Sequence, residues 1–387
     1  MKTGLGLMFL VLSAVSLVSM LITGSKEGAA NAYREGSEEL RTLLGWTSFP
    51  LITPRTEGQL LRGAAISSPI LLDESLISRF VAAARAEKLT APSEVNLTVD
   101  VSQWPVFVQQ LAAESNLPLA DFVAMSRKAD AILGDASDPR HAAAVTVSEE
   151  IRIDTDRPGE GANRSLSDTC LRIVSAYSIG VAPEFGYIQG MADLCMLLRG
   201  IGPLDEISAF QGLIVLTEVV SQLNVNGRRD VFDRFNLLSQ LYGHMFSEMH
   251  SSDLLGLIAD GFAHCSLDPI EMIGRSFGVF STYAGARGTG MPAAIRLQLG
   301  NFILRTGRPG LIALWFAGLE LNESVLRAHI AANDLLPIHH LLHDPLGAGS
   351  GTTVEALITR AFEIMNRQIG QVSFKTAVRT LDALGTG

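Results

Sequence analysis

Two short segments of the chain carry side chains whose types and spacing could do chemistry. Ile151-Arg-Ile-Asp-Thr-Asp-Arg157 has the form IxxDxxR, and Phe185-Gly-Tyr-Ile-Gln-Gly-Met191 contains YxQG. An arginine brings a planar cation that neutralises charge developing on a transferring phosphoryl group, and a glutamine can orient the water that attacks it. Arg157 and Gln189 are thus the two side-chain types that GTP hydrolysis needs. Each residue alone has a plainer reading. Asp154, Asp156 or Glu160 could pair with Arg157 at the surface, and a glutamine after an aromatic commonly sits in a solvated turn. The order and spacing of the two segments, and the helix between them, join them into one constellation.

That helix is legible in the hydrophobic period. Cys170, Ile173, Val174 and Tyr177 fall at i, i+3, i+4 and i+7, an apolar stripe of helical spacing. Ser167 and Asp168 are placed to cap its start and Gly180 to end it. Ala182-Pro-Glu-Phe-Gly186 reads as a turn, after which Met191 to Arg199 resumes as a short apolar helix stopped by Gly200 and Pro203. Tyr187 and Gln189 therefore belong to a loop-to-helix junction, where a side chain can project while the backbone stays supported. Arg157, followed by Pro158-Gly-Glu-Gly161, lies on or beside a loop.

With both motifs in this order, the chain resembles the TBC domain, the Rab GTPase-activating fold. The resemblance implies an all-α, multi-helix domain that accelerates GTP hydrolysis by a Rab-type small GTPase and so regulates vesicle trafficking. Arg157 would be its arginine finger, and Gln189 would stand in for the GTPase's own water-positioning glutamine. Asp154 and Tyr187 would position the two loops, and Gly190 would let the backbone approach closely. Such a protein is an activator, supplying catalytic residues in trans. It needs no cofactor or metal of its own, because GTP and Mg²⁺ arrive with the partner.

Further along, Ala209-Phe-Gln-Gly-Leu-Ile-Val-Leu216, the region Phe235 to Phe262, and Ile270 to Tyr283 resemble successive helices of that family. Arg275-Ser276 stands where the family usually carries Arg-Trp. Gly300-Asn301, in Leu299 to Leu304 with Gly307 beyond, stands where it carries Trp-Asp. These departures keep a second reading open: a TBC-shaped, membrane-tethered binding module or scaffold without activity.

Composition agrees with a helical globular chain. Of 387 residues, 47% are hydrophobic, enough for one large core or two smaller ones. Ile70 to Ala86 and Trp104 to Ala113 read as further helices, and the valine and isoleucine cluster at Val145 to Ile153 leaves a strand conceivable there. The formal net charge of −10, with no cluster of lysines and arginines, argues against nucleic acid as a partner. Cys170, Cys195 and Cys265 lack CxxC spacing and sit in apolar stretches, as small buried hydrophobes would. His339 and His343, four apart before Asp344, could share a helix face, but HExxH is absent and a structural role is the simpler reading. Gly347-Ala-Gly-Ser-Gly-Thr-Thr353 lacks the P-loop lysine and reads as a linker to a last helix, Thr353 to Ile369.

Thr3 to Ser25 carries no charge and is long enough to cross a bilayer as a helix. It reads as an anchor holding the downstream domain in the cytoplasm. A signal peptide leading to the secretory lumen, or a buried core helix, are the alternatives. The organisation expected is an anchor or signal-like segment over 1–25 and a helical N-terminal region over 26–140. A TBC-like domain over 141–345 follows, then a Gly-rich linker with a C-terminal helix over 346–387.

Overall fold

The computed structural model describes residues 74–86, 98–156, 164–223, 267–283 and 292–384, except 333, 348, 349, 370 and 371. It also describes Arg234, Phe235, Leu237, Leu238, Tyr242, Leu255, Ile258, Ala259 and Phe262. The segment 1–25, Arg157 and Cys265 lie outside these residues.

Helices make up nearly all of this structure. They are α1 (Glu74–Ala86), α2 (Trp104–Glu114), α3 (Phe122–Gly134), α4 (His141–Thr155), α5 (Arg164–Ser175), α6 (Met191–Met196) and α7 (Glu206–Val215), then α8 (Pro269–Tyr283), α9 (Ala293–Leu321), α10 (Glu323–Ala331), α11 (Leu335–His343), α12 (Val354–Met365) and α13 (Phe374–Leu384). The described strands are β1 (Gln368–Ile369) and β2 (Val372–Ser373), an antiparallel pair between α12 and α13. The cluster at Val145 to Ile153 is helical, within α4.

Local chemistry sets several helix starts. Asp121 accepts from the backbone of Ala124 at 2.7 Å to cap α3, and Asp205 accepts from Ser208 at 2.9 Å to cap α7. Thr353 does the same for α12, accepting from Ala356 at 3.2 Å. Helices α5, α6 and α7 each continue into a wider π-type turn, at Ala176–Val181, Leu197–Ile201 and Leu216–Val220. Gly180 therefore does not end the helix. It lies inside the π turn, where a β-carbon would come 2.7 Å from the Met125 carbonyl oxygen, so it serves the close packing of α3. Ser167 is likewise not a cap, because α5 begins earlier, at Arg164; its hydroxyl donates instead to the Thr155 carbonyl at 3.0 Å.

One hydrophobic core runs from Phe80 in α1 to Leu381 in α13. Sequence segments on either side of 140 and of 345 thus share a core rather than building their own. Trp315 of α9 is central, with Phe235 at 5.1 Å and Phe277 at 5.5 Å between ring centroids. Helix α9 packs most extensively on α12, so the expected linker leads into a core element. The chain then continues past it through the hairpin to α13, which packs on α1. Gly307, at φ 66°, breaks α9 just before Pro309.

The Gly300-Asn301 pair is matched to an indole from another helix. Trp104 of α2 donates through Nε1 to Asn301 Oδ1 at 3.1 Å, and Asn301 donates to the Thr98 carbonyl at 3.1 Å. A β-carbon on Gly300 would approach the Trp104 ring to 3.3 Å. The absence of a β-carbon at Gly300 therefore lets the Trp104 indole pack closely against α9.

Candidate functional site

Helix α4 buries Ala144, Ile151 and Thr155, which leaves Asp154 half-buried at its end. The Ser167–Thr155 hydrogen bond ties the end of α4 to the first turns of α5. Those two anchored helices flank the stretch 157–163 that contains Arg157.

After the π turn of α5 the chain reverses. The backbone N–H groups of Phe185 and Gly186 both donate to the Ala182 carbonyl, at 3.1 and 3.2 Å. Tyr187 then crosses to α4, where its hydroxyl donates to Asp154 Oδ2 at 2.5 Å. Burial, and next the Asp154 carboxylate, push the Tyr187 hydroxyl well above its ordinary value. The phenol thus remains a donor across the working pH range. Two motif residues far apart in sequence are brought into direct contact.

Gln189 is exposed at the junction before α6. Its position is fixed from behind by Gly190, whose φ of 105° is a conformation that glycine tolerates and residues with a β-carbon resist. A β-carbon there would lie 2.4 Å from Thr282 Cγ2 and 2.5 Å from Thr282 Cβ. The last turn of α8 is therefore the floor of the glutamine loop. Leu194 accepts no solvent, at 1% exposed, and Met191 and Cys195 are fully buried, so α6 is bolted to the core behind the loop.

The motif residues are accordingly distributed as follows: Asp154 and Tyr187 are joined, Gly190 is pressed on α8, and Gln189 projects outward. Thr282 is the one contributor with no local signal, since a threonine near a helix end is unremarkable until the fold brings Gly190 onto it. The surroundings are acidic, with Asp193 close enough to Tyr187 to add to its shift.

Other constellations do not join this site. His339 and His343 do share a face, with ring centroids 4.0 Å apart, and burial pushes the His339 imidazole down toward its neutral form. Among the described residues no group of three or more side chains could hold a metal ion. Cys170 and Cys195 are buried neighbours on α5 and α6, and the adjacent Cys170 together with burial pushes the Cys195 thiol up, as suits an inert packing group. No helix among the described residues is long and apolar enough to cross a membrane.

Comparison of the chain with protein-family models and with curated proteins returned no match.

Proposed function

We propose that this chain is a TBC-like GTPase-activating protein for a Rab-type small GTPase. The observation that carries the reading is the presentation of Gln189. It is exposed at the head of α6, beside a Tyr187–Asp154 hydrogen bond of 2.5 Å on one side and the Gly190–Thr282 contact on the other. A side chain that must orient one water in a transition state gains from such a fixed backbone, because reorganisation at the moment of reaction is avoided.

In this mechanism GTP and Mg²⁺ enter with the partner. Gln189 orients the attacking water in place of the GTPase's own glutamine. Arg157, two positions after α4 in the sequence, neutralises charge on the transferring phosphoryl group. Asp154 and Tyr187 hold the two segments in register. Thr3 to Ser25 tethers the chain to a membrane with the helical domain in the cytoplasm, so deleting that segment releases the protein to the soluble fraction and leaves activity in solution intact.

The test is a screen of GTP hydrolysis by a panel of Rab-type GTPases with the full chain in detergent. Arginine fingers contribute about 10³ to 10⁵ in rate, so Arg157→Ala removes most of the stimulation. Arg157→Lys fails as well, since a point charge does not reproduce the planar fork of donors. Gln189→Ala is severe, and the parent chain still stimulates a GTPase whose own glutamine has been replaced. Full stimulation by Arg157→Ala would refute the mechanism and leave a binding module without activity as the better account.

A further inference from the structure

Helix α11 carries a pair of imidazoles for which the glutamine site has no use. His339 and His343 are four residues apart, so both project from one side of the helix. Their rings meet at 4.0 Å between centroids, with 68° between their planes. Ile338, Leu341 and Leu342 form the buried face of α11 and His340 is exposed, while the pair lies half-buried on the flank between. Two observations separate the pair from ordinary packing. Nδ1 of His339 is shielded from solvent and has no hydrogen-bond partner among the described residues. Buried polar atoms are nearly always paired, and an ion is one of the partners that accounts for such a nitrogen. Burial, and next His340, also push the His339 imidazole toward its neutral form, which is the form that binds a metal.

We infer that His339 and His343 chelate a divalent transition-metal ion of the class that imidazole suits: copper, zinc or nickel. Two histidines at i and i+4 are the spacing with which a single helix face places two ligands on one zinc ion. Hard cations are disfavoured, because Mg²⁺ and Ca²⁺ take oxygen ligands. Asp344, the next residue, already accepts from the Leu346 backbone at 3.1 Å through Oδ1. No third histidine, cysteine or carboxylate joins the pair among the described residues, so water completes the coordination. The flank position leaves room for that water and lets the ion arrive from solvent without opening the core. Bound there, the ion fastens the last turn of α11, a helix that packs most extensively on α8, and so favours the folded chain. The assignment concerns α11 alone and does not depend on the activator reading.

The experiment titrates Zn²⁺ into the full chain in detergent by calorimetry, for the parent, His339→Gln, His343→Gln and His340→Gln. In a chelate the second contact is intramolecular, so loss of either imidazole of the pair should weaken binding about tenfold or more. His340→Gln, on the same helix but outside the pair, should bind as the parent does. Zn²⁺ should raise the melting temperature of the parent and of His340→Gln, and the rise should be lost in both pair variants. Cu²⁺ bound in place of Zn²⁺ should show two imidazole nitrogens by electron paramagnetic resonance in the parent and one in each pair variant. Melts without metal confirm that the variants fold; should His339→Gln melt early, His343→Gln alone decides. Parent-like Zn²⁺ affinity in the pair variants, an equal loss in His340→Gln, stabilisation by Mg²⁺ as large as that by Zn²⁺, or no Zn²⁺ binding by the parent overturns the assignment.

Discussion

Replacing Gly190 by alanine tests the part of the site that is most sharply determined by geometry. Two costs arise at once. The backbone sits at φ 105°, and a residue with a β-carbon in the left-handed region is disfavoured by about 1–2 kcal/mol. The new β-carbon would also stand 2.4 Å from Thr282 Cγ2 and 2.5 Å from Thr282 Cβ. Contacts that short must be relieved by displacement, and overpacking of one carbon in a filled site costs about 1–3 kcal/mol. Together the loss is about 2–5 kcal/mol, a large share of the stability of an ordinary domain. Thr282 is the last but one residue of α8, 1% exposed, and it has little room to retreat. Urea unfolding of Gly190→Ala, Thr282→Ala and the double variant measures the coupling. Thr282→Ala removes Cγ2 and Oγ1 but keeps Cβ, so it should recover part of the steric cost and none of the backbone cost. If the loop shifts instead of the core, stability loss is smaller and stimulation of the GTPase falls in its place. The reasoning is refuted if Gly190→Ala unfolds within about 0.5 kcal/mol of the parent and stimulates normally.

Tyr187→Phe removes the donor to Asp154; hydrogen bonds to charged groups are worth about 1.5–3 kcal/mol, and the half-buried setting places the expected loss in melting experiments at the low end, with a fall in stimulation as the loop loosens. Parent-like values on both counts would show that the hydrogen bond is dispensable. Leu194→Asp puts a carboxylate into a site that is 1% exposed, at a cost of several kcal/mol, and an unshifted melting temperature would contradict the packing of α6. Glu320 bonds Arg360 at 2.7 Å, yet burial outweighs its arginine neighbours and raises its carboxyl above the ordinary value. A raised acid binds its proton more tightly when folded, so its contribution to stability is full below about pH 4.5 and is lost as pH rises through the folded value. The stability of the parent relative to Glu320→Gln should therefore improve as pH falls from 7 toward 4.5. A shift in the opposite direction in denaturant titrations would show that the ion pairs outweigh burial.

Much of the helical architecture is legible in the chain because helix period and capping are local. The stripe at Cys170, Ile173, Val174 and Tyr177 turns inward, α2 occupies the segment that its apolar spacing indicates, and the segments that the resemblance marked as helices at Ala209 to Leu216 and Ile270 to Tyr283 fall largely within α7 with its π turn and within α8. The junction at Gln189 is legible for the same reason, since Pro183 and Gly186 must interrupt the helical run. Boundaries fared less well. Gly180 and Ser167 have the types of helix-ending and helix-capping residues, but their roles are set by Met125 and by Thr155, partners on other helices. Glycine and serine serve close packing and capping with equal ease, and only the neighbour distinguishes them.

Long-range contacts follow the same rule. The sequence determined which side-chain types stand in the two motifs, Asp154 and Arg157 in one and Tyr187 and Gln189 in the other, and that a helix and a turn separate them. Folding decided that Tyr187 meets Asp154, that Thr282 underlies Gly190, that Trp104 fills the space above Gly300, and that α12 and α13 complete the core with α9 and α1. Periodicity encodes the face that a helix buries, whereas the identity of what covers that face depends on side chains distant in the sequence, from Tyr187 on Asp154 to Trp104 on Gly300, and no local pattern carries it.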